Sequence, residues 1–102
     1  MIHHANSNPD FKNFISRGVT VVGFTAQWCA PCRMMTPIFE SIAKLYPKLK
    51  FMKVDIEKLP DIAATEKVGS MPTYNIYKDG KIVEQMTGAN TAQLMVLAAK
   101  YK

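Results

Sequence analysis

The chain has 102 residues, of which 48% are hydrophobic, and a formal net charge of +5. This length leaves room for one core, so we expect residues 1–102 to form a single domain. No apolar stretch is long enough to span a bilayer, and the N-terminus lacks the basic and apolar regions of a secretory signal. We therefore expect a cytoplasmic protein without a membrane partner. The lysines are scattered and form no stripe with aromatic residues, which argues against a nucleic-acid partner.

The first half of the chain alternates between strand and helix patterns. An edge strand is predicted over Ile2–Ala5, and a helix follows in which Asn8 is the N-cap and Gly18 marks the end. The β-branched run Val19–Thr25 is typical of a buried central strand. Helical spacing then extends from Cys32 to Tyr46, with Pro37 as a kink.

The second half begins with a strand over Phe51–Ile56 and a short helix that stops at Gly69. Two β-rich runs, Thr73–Tyr77 and Lys81–Met86, flank an Asp-Gly turn and predict a hairpin. Asn90 then caps a last helix. Alternating strands and helices favour parallel pairing, whereas the hairpin is antiparallel. The sequence therefore predicts an α/β fold, with a mixed sheet covered by helices on both faces.

The two cysteines of the chain are Cys29 and Cys32 in the tetrad Cys-Ala-Pro-Cys. If Cys29 opens a helix, its thiolate faces free N–H groups and the positive end of the helix dipole, which lowers the pKa of a thiol. Such a pair is a candidate redox couple or part of a metal site. A tetrahedral zinc site needs four ligands, and the other candidates, His3 and His4, would point to opposite faces of a strand. We therefore favour redox chemistry and expect no metal.

Several segments resemble the thioredoxin family. Ala26–Arg33 resembles its active-site segment, Pro37 its helix-kinking proline, Met71-Pro72-Thr73 its cis-proline loop, and Gly88-Ala89 part of its substrate groove. The resemblance covers nearly the whole chain. It implies a five-stranded sheet in the order 1-3-2-4-5 and the reduction of protein disulfides.

The same resemblance implies the chemistry of the cysteine pair. Cys29 would attack a client disulfide, and Cys32 would resolve the mixed disulfide and leave a Cys29–Cys32 disulfide. No bound cofactor is required beyond this redox-active disulfide. The implied partners are a thioredoxin reductase and disulfide-containing client proteins, and we expect a monomer.

The resemblance also implies which residues support the cysteines. Ala30 and Pro31 would shape the start of the helix, and Pro72 would follow a cis peptide bond. The substrate groove would be formed by Trp28, Met71, Pro72, Thr73, Gly88 and Ala89.

One position departs from the family pattern. Gly23 stands where thioredoxins place a buried aspartate that helps to deprotonate the second cysteine, and a water is one candidate substitute. Lys53 matches the lysine beside that acid, so we expect it to reach solvent or find another acceptor. The missing acid favours an alternative function, a thioredoxin-like interaction module that senses redox state with weak reductase turnover. A small metal-binding domain is a second alternative.

Overall fold

The computed structural model describes residues 1–102. Strands and helices follow one another in the predicted order: β1 (His3–His4), α1 (Asn8–Ile15), β2 (Val19–Thr25), α2 (Ala30–Leu45), β3 (Lys50–Asp55), α3 (Pro60–Thr65), β4 (Thr73–Lys78), β5 (Lys81–Thr87) and α4 (Thr91–Tyr101). None of these helices has the length and hydropathy needed to cross a bilayer.

The five strands form one sheet in the order β1-β3-β2-β4-β5. Strand β3 pairs in parallel with β1 and β2, whereas β4 is antiparallel to β2 and β5. The hairpin turns at Asp79 and Gly80, both with positive φ, as a tight two-residue turn requires. The predicted mixed α/β sheet and its order are confirmed.

Successive side chains along each strand point to opposite faces of the sheet, so the protein has two cores, one on each face. Phe51 of β3 packs into a cluster that includes residues of α2 and α4, whereas its neighbour Met52 packs into a second cluster with residues of α1 and α3. The central strand β2 divides in the same way, with Val21 in the first cluster and Val22 in the second. Because both faces are covered, β2 is buried along most of its length. It therefore fixes the position of the segment that leads from β2 into α2.

The element ends differ from the sequence prediction in several places. The N-cap of α1 is Ser7 rather than Asn8, since the Ser7 hydroxyl accepts a hydrogen bond from the Asp10 amide at 3.1 Å. Serine and asparagine are equally good caps, so composition alone does not choose between them. Helix α1 ends before Gly18, which instead lies in a turn with φ +72°. Helix α3 likewise ends well before Gly69, because Lys67 adopts a positive φ.

Candidate active site

Cys29 is the N-cap of α2. Its backbone is extended, with φ −90° and ψ 109°, and its sulfur accepts a hydrogen bond from the Cys32 amide at 3.3 Å. Helix α2 therefore begins at Ala30, two residues earlier than predicted, because Pro31 needs no N–H partner in the first turn. This geometry confirms that Cys29 opens a helix and faces its positive end.

Cys29 and Cys32 are joined as a disulfide, with their Cα atoms 5.2 Å apart. Both cysteines are buried and form a small cluster with Ala26, against which Ile56 and Met71 pack. The sulfurs thus lie at the carboxyl end of the central strand β2, in an apolar environment. The structure describes the oxidised form of the pair.

The surface around the disulfide is exposed and partly apolar. The Trp28 side chain is 64% exposed although it lies directly before a buried cysteine. Ala30 and Pro31 are exposed on the other side of Cys29. Trp28 is therefore not part of the core, although it directly precedes the buried Cys29.

The loop before β4 supplies the other side of this surface. The Met71–Pro72 peptide bond is cis, as the family resemblance implies. The Gly88 amide donates a hydrogen bond to the Pro72 carbonyl at 2.8 Å, which places Gly88 and the exposed Ala89 beside this loop. Thr73 differs from the other predicted groove residues, because its side chain is buried and its hydroxyl donates to the Ser70 carbonyl. Thr73 therefore holds the loop from beneath.

A small cavity of about 10 Å³ lies beneath Cys32, and Gly23, Thr36, Lys53 and Tyr74 are among its lining residues. The Lys53 ammonium donates a hydrogen bond to the Thr36 hydroxyl at 3.2 Å and belongs to neither ion pair of the structure. The expectation that Lys53 finds another acceptor is confirmed. The cavity contains no carboxylate, so Cys32 has no acidic neighbour there.

Sequence reasoning missed Tyr74. This residue pairs with Gly23 across β2 and β4, and Gly23 pairs with Lys53 across β2 and β3. The three positions therefore form one row across the sheet beneath the cysteines. Burial raises the pKa of Tyr74 to about 12, so its phenol is neutral near pH 7. A glycine within a buried strand was the signal that something large packs against it.

The remaining candidate ligands do not form a metal site. The His3 ring is hydrogen-bonded to the Asp10 carboxylate at 2.8 Å and stacks on Phe14. This hydrogen bond lowers the pKa of the Asp10 carboxyl. No group of three or more His, Cys, Asp or Glu side chains lies close enough together to hold a metal ion. His3 therefore belongs to the packing between β1 and α1, whereas His4 is exposed.

A redox-active Cys-X-X-Cys pair at the start of a helix, after the central strand of a mixed sheet, defines a thiol–disulfide oxidoreductase. The thioredoxin family model matches residues 2–100, and the chain belongs to the thioredoxin family. It is 36% identical over 102 residues to Thioredoxin 1 of Plasmodium falciparum, covering 99% of this chain and 98% of that protein.

Solved structures agree with this assignment. The structure of Plasmodium falciparum thioredoxin superposes with a TM-score of 0.96 at 36% identity, covering 98% of this chain and 99% of that one. A second similar structure has a TM-score of 0.92 at 33% identity, covering 97% of this chain and 94% of that one. Its subject is the thiol resolving mechanism in yeast mitochondrial 1-Cys peroxiredoxin via glutathione/thioredoxin systems. The protein is a dithiol redox carrier that acts by thiol–disulfide exchange through Cys29 and Cys32.

Proposed function

We propose that this protein reduces the disulfides of client proteins, with Cys29 as the attacking cysteine and Cys32 as the resolving one. The Cys29 thiolate forms a bond to one client sulfur, and the other client sulfur leaves with the electron pair and takes a proton. The Cys32 thiolate then attacks Cys29, and the second client sulfur leaves in the same way. The client gains two electrons, and the protein is left with the disulfide.

One observation supports the proposed order of attack. Cys29 is the N-cap of α2, whereas Cys32 lies inside its first turn. The Cys32 amide donates to the Cys29 sulfur. A hydrogen bond to the charged form stabilises a thiolate, and the helix dipole adds to this effect. Their exposures, 5% for Cys29 and 3% for Cys32, do not distinguish the two cysteines.

The proposed client groove runs over Trp28, Ala30, Pro31, Met71, Pro72, Gly88 and Ala89, with Thr73 and Lys53 supporting it from below. Met71 supports this proposal because its side chain packs against the cysteine cluster while its backbone N–H and C=O make no hydrogen bond within the protein. Unpaired backbone groups beside the disulfide suit an extended client segment that adds as a short strand. Trp28 offers apolar contact area on the other side.

We place the protein in the cytoplasm as a monomeric single domain that contributes to electron transport and redox homeostasis, and needs no bound cofactor. Its oxidised form requires an electron donor, and a thioredoxin reductase fits that requirement. The peroxiredoxin study that includes a similar structure supports clients that themselves carry reactive thiols or disulfides.

The test is a trapping experiment with Cys32→Ser. This variant keeps the attacking thiol and removes the resolving one, so it should accumulate mixed disulfides with clients. Cys29→Ser is the matched control, because serine also caps a helix and the variant keeps the other cysteine. Equal trapping by the two variants, or trapping by Cys29→Ser alone, would contradict the proposed order of attack.

The redox-sensing module is the second candidate, and the absence of a carboxylate from the cavity under Cys32 favours it. Insulin reduction with dithiothreitol as electron donor separates the two candidates. A reductase turns over many insulin disulfides per protein molecule. A sensing module completes about one exchange and then follows the uncatalysed rate.

A further inference from the structure

A groove of about 450 Å³ lies beside the segment that joins β2 to α2. Thr25, Ala26 and Gln27 of this segment line it, and Ala26 also packs in the cluster with Cys29 and Cys32. Gln27 precedes Cys29 by two residues, so their Cα atoms are at most about 7 Å apart. The groove is therefore close enough to contact a client segment that continues from a disulfide docked at Cys29.

The charged side chains of this groove are mostly basic. Its lining includes the cations Arg33, Lys53 and Lys58, the exposed His4, and one carboxylate, Asp55. These residues are far apart in sequence, and the fold brings them together from β1, α2, β3 and the loop after β3. Three cations against one carboxylate make the groove positive at neutral pH, whether or not the histidine is protonated. We call this surface the basic groove.

None of the three cations is paired with a carboxylate. Of the two ion pairs in the structure, one joins β1 to α1 and the other joins β5 to α4, and neither includes a residue of the basic groove. The Arg33 guanidinium is held by one hydrogen bond, from its Nη1 atom to the Gln27 carbonyl at 2.6 Å, so most of its donors remain free. The Lys53 ammonium donates to the neutral Thr36 hydroxyl and has further donors. These free donors are complementary to carboxylates.

We propose that the basic groove is a docking subsite for an acidic segment of the client. Glutamate or aspartate carboxylates of that segment bind beside Arg33, Lys53 and Lys58, while the client disulfide meets Cys29. This inference rests on the proposed reduction of client disulfides and adds a preference among clients. The two surfaces adjoin at consecutive residues, since Gln27 lines the basic groove and Trp28 belongs to the proposed client groove.

The shape and lining of the basic groove favour a peptide over other anions. Its volume lies in the range of sites that bind drug-sized ligands, so it has room for several side-chain groups rather than one inorganic ion. No Phe, Tyr or Trp side chain lines it, so the bases of a nucleic acid would have no aromatic surface on which to stack.

The test uses two model peptides that contain the same disulfide, one flanked by a run of glutamates and the other by a run of glutamines. The measured quantity is the ratio of kcat/KM for the acidic peptide to that for the neutral one. Lys58→Gln and Arg33→Gln should each lower this ratio about threefold, within the range of one exposed ion pair. The double variant should lower it about tenfold, because effects at independent contacts multiply.

Lys48→Gln is the matched control. It removes the same charge from an exposed lysine beyond the far end of α2, a helix about 24 Å long. This variant should keep the wild-type ratio. An equal fall of the ratio in Lys48→Gln would show general attraction by the net charge and would overturn the subsite. So would a double variant that slows the reduction of both peptides equally.

Asp55→Asn tests the same subsite in the opposite direction. It removes the one negative charge of the groove, while the asparagine oxygen can still accept the hydrogen bond from the Glu57 amide. This variant should raise the ratio about threefold. In about 1 M salt the wild-type ratio should approach one, because the Debye length falls to about 3 Å. A ratio that Asp55→Asn leaves unchanged would contradict the proposal.

Binding can be measured without any reduction. A cysteine-free glutamate peptide, added to the oxidised protein, should shift the backbone amide resonances of residues 25–27 and 53–58, and these shifts should be lost in the Arg33→Gln/Lys58→Gln protein. Equally tight binding of inorganic phosphate would indicate a small-anion site and overturn the assignment to a client segment. If the peptide binds but neither model disulfide is reduced, the proposed reductase function fails while the acidic-peptide subsite stands.

Discussion

The phenol of Tyr74 makes the stability of the fold sensitive to high pH. Its pKa rises from the ordinary 10.0 to about 12 because the side chain is buried. An unfolded chain ionises this tyrosine near pH 10, whereas the folded protein keeps it neutral up to about pH 12. The neutral phenol therefore stabilises the folded state fully below pH 10. This stabilisation is lost as the pH rises toward and through the pKa that Tyr74 has in the folded protein. The folded and unfolded pKa values differ by about two units, so the total loss in the free energy of unfolding is about 3 kcal/mol once the pH is well above both values.

The assay is urea unfolding of the wild type and Tyr74→Phe, both with the disulfide intact, at several pH values from 7 to 12. Phenylalanine cannot ionise, so between pH 10 and pH 12 the variant should lose about 2 kcal/mol less stability than the wild type, and the rest of the difference appears only above the folded pKa. Lysine deprotonation and the raised pKa of Tyr77 affect both proteins alike and cancel in the comparison. Parallel stability curves for the two proteins across this range would refute the reasoning.

Two further predictions concern packing and the client surface. Leu94 of α4 is fully buried, so Leu94→Ala should lower the free energy of unfolding by about 2–5 kcal/mol in urea. Val96→Ala, at an exposed site on the same helix, should change it by less than about 0.5 kcal/mol; similar losses would contradict the assigned core. Trp28→Ala should slow insulin reduction about tenfold while leaving the unfolding midpoint unchanged, since exposed tryptophans at interfaces carry much of the binding free energy. Leu45→Ala removes a comparably exposed apolar side chain at the far end of α2 and should leave that rate unchanged; equal slowing would contradict the groove.

The strands were the most predictable part of the fold. Strand β2 runs from Val19 to Thr25 as predicted, because a β-branched apolar run has few other stable conformations in a chain of this length. The hairpin was equally well determined, since Asp79 and Gly80 tolerate the positive φ that the turn demands. The helix ends were less predictable. Ser7, rather than the adjacent Asn8, caps α1, and local composition supports either choice.

The cysteine site was predictable from sequence because its residues are adjacent in the chain. Cys29 caps α2 and Cys32 lies in its first turn, so local helix rules suffice to place them. Tyr74 was not predictable in this way, because its relation to Gly23 depends on the register between β2 and β4. A register shift of one residue would turn the tyrosine to the opposite face of the sheet. Long-range register is set by the packing of both cores together.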